Sequence, residues 1–157
     1  MSDTALRDHL VKLLAWQDAH VGFDKAVEGI PVPLRGKRPS KVPYSAWQLV
    51  EHLRITQHDI LDFCRNPNYR ELEWPNDYWP TSAAPPSTRA WTASIDQFRE
   101  DREALQQLAR DPEIDLFTRI PHGSGQTYLR ELVLVADHTA YHVGELVLLR
   151  RLLGIWK

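Results

Sequence analysis

His138 and His142 stand four residues apart in Asp137-His138-Thr139-Ala140-Tyr141-His142, inside an apolar run from Leu129 to Leu153. At 3.6 residues per turn, this spacing places two imidazoles on one helix face, one turn apart. Two such rings can share a metal ion if a third ligand arrives from another element. His52 is the candidate, because it falls on the inward stripe of a second amphipathic segment. Three imidazoles without a fourth fixed ligand leave a coordination position for chemistry. A divalent ion held there is a Lewis acid that lowers the pKa of a bound water or thiol toward neutrality. Buried histidines also form plain hydrogen-bond networks that hold no metal, and spacing alone leaves both readings open. Thr139 stands where the metalloprotease motif H-E-x-x-H needs its catalytic glutamate, so that chemistry is excluded.

Two further residues are candidate catalytic groups. Glu145 lies three residues past His142 on the same face, where it can orient a ligand histidine or serve as a fourth ligand or base. Its bland role is a solvated partner for Arg150 or Arg151. His20 falls on the inward stripe of the first helical segment and either lines the cavity or is a satisfied core histidine. Asp59, seven residues past His52, is either an acceptor behind the site or a charge at the end of the helix. His122 precedes the last helix in Pro121-His122-Gly123-Ser124-Gly125-Gln126, a loop that suits an anion at a helix N-terminus or simply a capping turn. His9 and His58 are expected on the surface. Ser124 sits in G-S-G rather than in a nucleophile elbow, and Cys64 is expected to be structural.

Four helical segments must position these groups. The first is expected from about Thr4 to Glu28, with Leu6, Leu10, Leu13, Gln17, His20 and Val27 on one face, stopping at Gly29 before Pro31. The second opens at Ser45, whose offset from Gln48 makes a capping box, and runs to about Cys64. Its inward stripe reads Leu49, His52, Ile55, Thr56, Asp59 and Phe63. Residues 66–86 hold five prolines and the aromatics Tyr69, Trp74, Tyr78 and Trp79, the mark of an ordered, non-helical crossover. The third helix starts near Ser87, with Trp91, Ile95, Phe98, Leu105 and Leu108 inward. The fourth opens near Thr127 and ends at Gly154. The expected architecture is an all-α four-helix bundle, a single domain over 1–157, with one long crossover connection between helices 2 and 3.

The composition is that of an ordinary globular domain. The 157 residues are 43% hydrophobic and 25% charged, with a formal net charge of −2. Scattered Lys and Arg argue against nucleic acid as a partner. One cysteine excludes an internal disulfide. Met1-Ser2-Asp3-Thr4 leads into an amphipathic pattern without a signal region, and no apolar stretch is expected to span a membrane, so the expected location is cytoplasmic. Ala136, Val143 and Val147 on helix four, with Trp47, Val50 and Leu61 on helix two, face away from the histidines. Leaving such faces wet is costly, so a homodimer is expected.

These residues together carry a family likeness. Trp47-Gln48-Leu49-Val50-Glu51-His52-Leu53-Arg54, Trp74-Pro75, Tyr78-Trp79-Pro80 and the stretch from Ile120 through Asp137-His138 and Tyr141-His142-Val143-Gly144 to Leu153-Gly154-Ile155-Trp156 resemble the DinB-like superfamily of small four-helix metalloproteins. The resemblance implies that His52, His138 and His142 hold one divalent ion, zinc or nickel, with water completing the shell. It also implies a small-molecule substrate, since the superfamily includes thiol S-transferases that use bacillithiol, a mycothiol-dependent isomerase and hydrolases. Many of those proteins carry glutamine where this chain has Glu145, so a role for that carboxylate is not inherited. The expected function is activation of a water or a low-molecular-weight thiol for hydrolysis or S-transfer, with the aromatic loop from Trp74 to Trp79 as a roof. The alternative is a non-catalytic, stress-related binding protein.

Overall fold

Ser45 decides where the central helix begins. Its hydroxyl accepts from the Gln48 amide while the Gln48 side chain reaches back to the Ser45 amide, a complete capping box. The Ser45 hydroxyl also donates to the Ala83 carbonyl, tying this helix start to the irregular segment 66–86. A computed structural model describes residues 3–156; Met1, Ser2 and Lys157, the ends of the expected domain, lie outside them. In chain order the helices are α1 (Thr4–Leu13), α2 (Phe23–Val27), α3 (Ala46–Arg65), α4 (Thr88–Arg110) and α5 (Tyr128–Leu152), with a short 3-10 turn at Val32–Leu34. Among the described residues there is no strand, and the chain is all-α. Ser87 and Thr127 cap α4 and α5 by accepting from backbone amides three residues on, as their sequence positions predict.

Helix α3 packs on both α4 and α5, while α1 crosses α4 and α5 and α2 rests on α5. The apolar stripes close into two clusters. Phe23, Leu49, Leu53, Trp91, Phe98 and Leu146 belong to one, and Leu10, Ile60, Leu105, Leu116 and Leu132 to the other. Each fully buried Leu or Phe contributes about 1.5–3 kcal/mol relative to leaving it in water. On α5 the first cluster takes Val143, Leu146 and Leu149 and the second takes Leu132 and Val135, so His138 lies between the two cores.

Two buried arginines tie helix ends together. Arg7 donates to the carbonyls of Ala109, Asp111 and Ile114 at 2.7–3.0 Å, just where α4 runs out of intrahelical donors. Arg150 does the same for Lys25 and Ala26 in α2, and its guanidinium lies over the Trp156 ring, 4.7 Å from the centroid.

The expected first helix is not continuous. It breaks into α1 and α2, and residues 14–22 are irregular. Phe23 explains the break: it stacks on Phe98 with centroids 3.8 Å apart, and the chain leaves the first helical path to put it there. Gly22 permits the fold-back, since a Cβ at that position would meet Gln17 Cγ at 3.0 Å. Gln17 and His20, expected on an inward stripe, are exposed as a result.

The apolar faces behind the expected homodimer are covered within the chain. Trp47, Val50, Leu61, Ala136 and Val143 are buried, and Val147 is half-buried. The exposed large side chains of α5 are others: Val133, Tyr141, Leu148 and Leu152. By length and composition α5 is also apolar enough to cross a bilayer, contrary to the expectation that no stretch would be. Its buried Glu131, His142 and Arg150 and its packing against α2 and α3 are those of a helix in a protein core.

Arg7→Met should lower the unfolding free energy by about 2–4 kcal/mol, the cost of leaving helix-end carbonyls without their charged donor. Urea unfolding checks this, and a change within about 0.5 kcal/mol would mean that these bonds contribute nothing net.

Candidate metal centre

His52, His138 and His142 come together. The His138 and His142 ring centroids are 4.5 Å apart, and the His52 ring lies 4.9 Å and 4.7 Å from them. One nitrogen from each ring lies within 4.8 Å of the other two. No other such group of His, Cys, Asp or Glu occurs among the described residues.

Hydrogen bonds decide which nitrogen each ring turns inward. His52 Nδ1 lies 2.8 Å from the Tyr78 carbonyl, which can only accept, so Nδ1 carries the proton and Nε2 keeps its lone pair. His142 Nδ1 donates to Glu145 Oε2 at 2.7 Å, which leaves its Nε2 for the centre. Metal-binding histidines characteristically have their outer nitrogen held in this way by a carbonyl or carboxylate. His52 Nε2 and His138 Nε2 are 3.1 Å apart. Two nitrogens each about 2.0–2.1 Å from one ion would sit at a similar separation, so the donor set fits a shared divalent cation.

The model of the DinB superfamily matches residues 15–146, a span that takes in all three histidines and Glu145. The chain belongs to the DinB superfamily. No curated protein and no solved structure matches it.

In this member of the superfamily burial disfavours the charged forms of His52 and His138. Desolvation pushes the His52 pKa down to about 4, a fall that its bond to Tyr78 opposes and the neighbouring His142 reinforces. Desolvation takes His138 down to about 3, with His142 and His52 adding to the effect. Both rings therefore reach neutral pH without a proton to displace.

Trp79 walls one side. Its ring lies parallel to His52 at 3.7 Å and 5°, and its other face stacks on Tyr44 at 4.1 Å. The expected aromatic roof thus has one member on the site. Trp74 is 67% exposed and only leans on Tyr78.

The remaining candidates fall at varied distances from the centre. Asp59 accepts from the hydroxyls of Tyr69 and Tyr78 at 2.8 Å and 2.7 Å. Burial and the adjacent carboxylate both raise those two phenols, so they stay protonated and donate. His20 is exposed, bonded to the Val21 carbonyl, and lines a separate apolar cavity of about 240 Å³ with Phe23, Ala136 and Val143. His122 pins its loop to α3 through the Phe63 carbonyl at 2.7 Å. His58 bonds the buried Asp101, and His9 is exposed. Burial pushes the Cys64 thiol up to about 12, with Glu131 adding and Arg65 opposing, so it remains an inert thiol. Sequence reasoning missed the backbone carbonyl of Tyr78. The only signal near it was the aromatic cluster Tyr78-Trp79-Pro80.

Protein freed of metal by a chelator should lose stability as pH falls from about 6.5 toward about 4. The buried rings have folded pKa values below the unfolded one, so the unfolded chain takes up protons that the folded chain refuses. His52→Ala and His138→Ala should flatten that slope in thermal melts; an unchanged slope in both would contradict it. In a separate test, metal titration should change tryptophan emission through the ring on His52. Trp79→Phe should remove the change and Trp74→Phe should leave it, whereas the opposite pattern would put the responding ring elsewhere.

Proposed function

We propose that the chain is a metal-dependent enzyme built as a four-helix bundle, in which α1 and α2 together stand for the first helix and 66–86 is the long crossover. His52, His138 and His142 would hold one zinc or nickel ion. When bound, such an ion supplies Lewis acidity that favours the deprotonated form of a coordinated water or low-molecular-weight thiol. The reaction class is hydrolysis or S-transfer on a small molecule.

One observation carries this reading. Three ring nitrogens converge while the outer nitrogens of His52 and His142 are held by Tyr78 and Glu145. Pre-orientation of this kind is what a ligand set needs, because the rings do not have to reorganise as they bind. Glu145 acts here as a positioning residue: it fixes the tautomer and orientation of His142. Trp79 excludes water from the His52 side, and the absence of a fourth converging protein group among the described residues leaves room for a reacting molecule.

A second reading has an observation of its own. The 3.1 Å separation of His52 Nε2 and His138 Nε2 also suits a hydrogen bond, in which His138 donates from Nε2 and no metal binds. The proton on His138 separates the two readings: on Nδ1 if Nε2 is a ligand, on Nε2 if the rings form a network.

Protein purified without a histidine tag should contain one metal per chain and show His138 protonated at Nδ1 by nitrogen NMR. It should turn over a nitrophenyl ester or transfer a cysteine-derived thiol to an electrophilic arene, losing activity to a chelator and regaining it with added metal. His52→Ala, His138→Ala and His142→Ala should each lose metal, while His9→Ala and His58→Ala keep it. Glu145→Gln should cost on the order of 10–100-fold in affinity or activity. Wild-type metal affinity in His52→Ala would sink the three-histidine site, and metal content without turnover would favour a non-catalytic binding protein.

A further inference from the structure

One face of α5 is left open by the rest of the chain. Val133, Tyr141, Leu148 and Leu152 are 44–63% exposed, and their spacing places them on one side of the helix. A run of large apolar side chains along one exposed face marks an interaction site, whereas scattered ones do not.

Gly144 lies in the middle of that face and is exposed. A glycine inside a helix costs stability relative to alanine. Nothing within the chain requires it here, because a Cβ at this position would stand in open space. The notch is therefore of use only to a body outside the fold that comes close to the helix backbone.

The charges say which body. Asp137 and Arg151 lie on the same face, seven residues before and seven after Gly144, and both are exposed. Among the described residues neither side chain has an ion pair or hydrogen bond. Consider a second α5 laid antiparallel about a two-fold axis at Gly144. Each Asp137 then meets the Arg151 of the other copy, about 10 Å to either side of the axis. A parallel pair would oppose like charges instead. The same axis sets Leu148 against Ala140, which is small and exposed, and Tyr141 against the half-buried Val147. The seam is complementary to itself in both charge and size, a property that a surface for an unrelated protein does not need.

We propose that a second copy of this chain docks here, as an antiparallel α5 pair crossing at Gly144. The contact also bears on the candidate metal centre. Tyr141 lies edge-on to the His142 ring at 4.9 Å, and Glu145, which holds His142 Nδ1, keeps 35% of its side chain exposed. The second copy lies over Tyr141 and beside Glu145, so assembly closes a flank of the site that the fold leaves wet.

The test is sedimentation equilibrium of the full chain without a tag, over a range of concentrations. A seam of one helix is at the small end of specific interfaces, so a dimer should form with a dissociation constant of roughly micromolar size. Asp137→Arg and Arg151→Asp should each weaken it about tenfold or more, because each sets two pairs of like charges across the axis. The double exchange should restore it. Gly144→Leu should also weaken the dimer about tenfold or more, while the dilute monomer melts no lower than the parent chain, since a good helix former replaces glycine in open space. Tetranitromethane should nitrate Tyr141 quickly in dilute protein and slowly in concentrated protein. A single-chain mass at every concentration overturns the inference and leaves the seam to a different protein. A double exchange that stays dissociated, or a dimer that Gly144→Leu leaves intact, overturns it by placing the contact elsewhere. Unchanged nitration in the assembled protein would do the same. None of these measurements depends on metal, so the dimer and the three-histidine site stand or fall separately.

Discussion

The hydrogen bond from His52 Nδ1 to the Tyr78 carbonyl holds the site in its present form. It joins the central helix to a connection that has no regular structure of its own, and it selects the tautomer that turns Nε2 inward. With that bond in place, Trp79 follows by one residue and its ring lands flat on the imidazole. Tyr78 then directs its hydroxyl at Asp59, two turns down the same helix. Three contacts from two adjacent residues thus order this connection against α3. A loop of this length is otherwise entropically costly to hold still.

The second constraint is electrostatic. His138 lies between two apolar clusters, and burial disfavours the charged forms of His138 and His52, whose pKa values fall. That environment leaves the His52 and His138 rings neutral, the form in which an imidazole can bind a metal. The same low dielectric makes any unpaired polar group expensive, which is why the outer nitrogens of His52 and His142 are both matched to acceptors.

The fold around these groups relies on helix ends as much as on apolar stripes. Ser45, Ser87 and Thr127 start the three long helices, and Arg7 and Arg150 bind carbonyls near the ends of α4 and α2. Long-range side-chain to backbone bonds of this kind join segments more than a hundred residues apart. They hold α1 and α2, too short to be stable alone, in their places against α4 and α5.

Periodicity and cap chemistry are local, and both were readable from the chain alone. The spacing of His138 and His142, the inward position of His52, the capping box at Ser45 and the stripe of α4 all follow from 3.6 residues per turn and the donor needs of a helix start. The break at 14–22 was not readable, because a helical pattern persists through Gln17 and His20 while Phe23 is drawn off by Phe98, seventy-five residues away. The burial of Trp47, Val50 and Leu61 was misjudged for a related reason: a helix pattern shows which side chains are apolar but not how many neighbours will cover them. The Tyr78 carbonyl and the bonds of Asp59 to Tyr69 and Tyr78 depend on where an irregular loop settles. Backbone acceptors have no sequence signature, and only tertiary packing decides which of them a histidine will find.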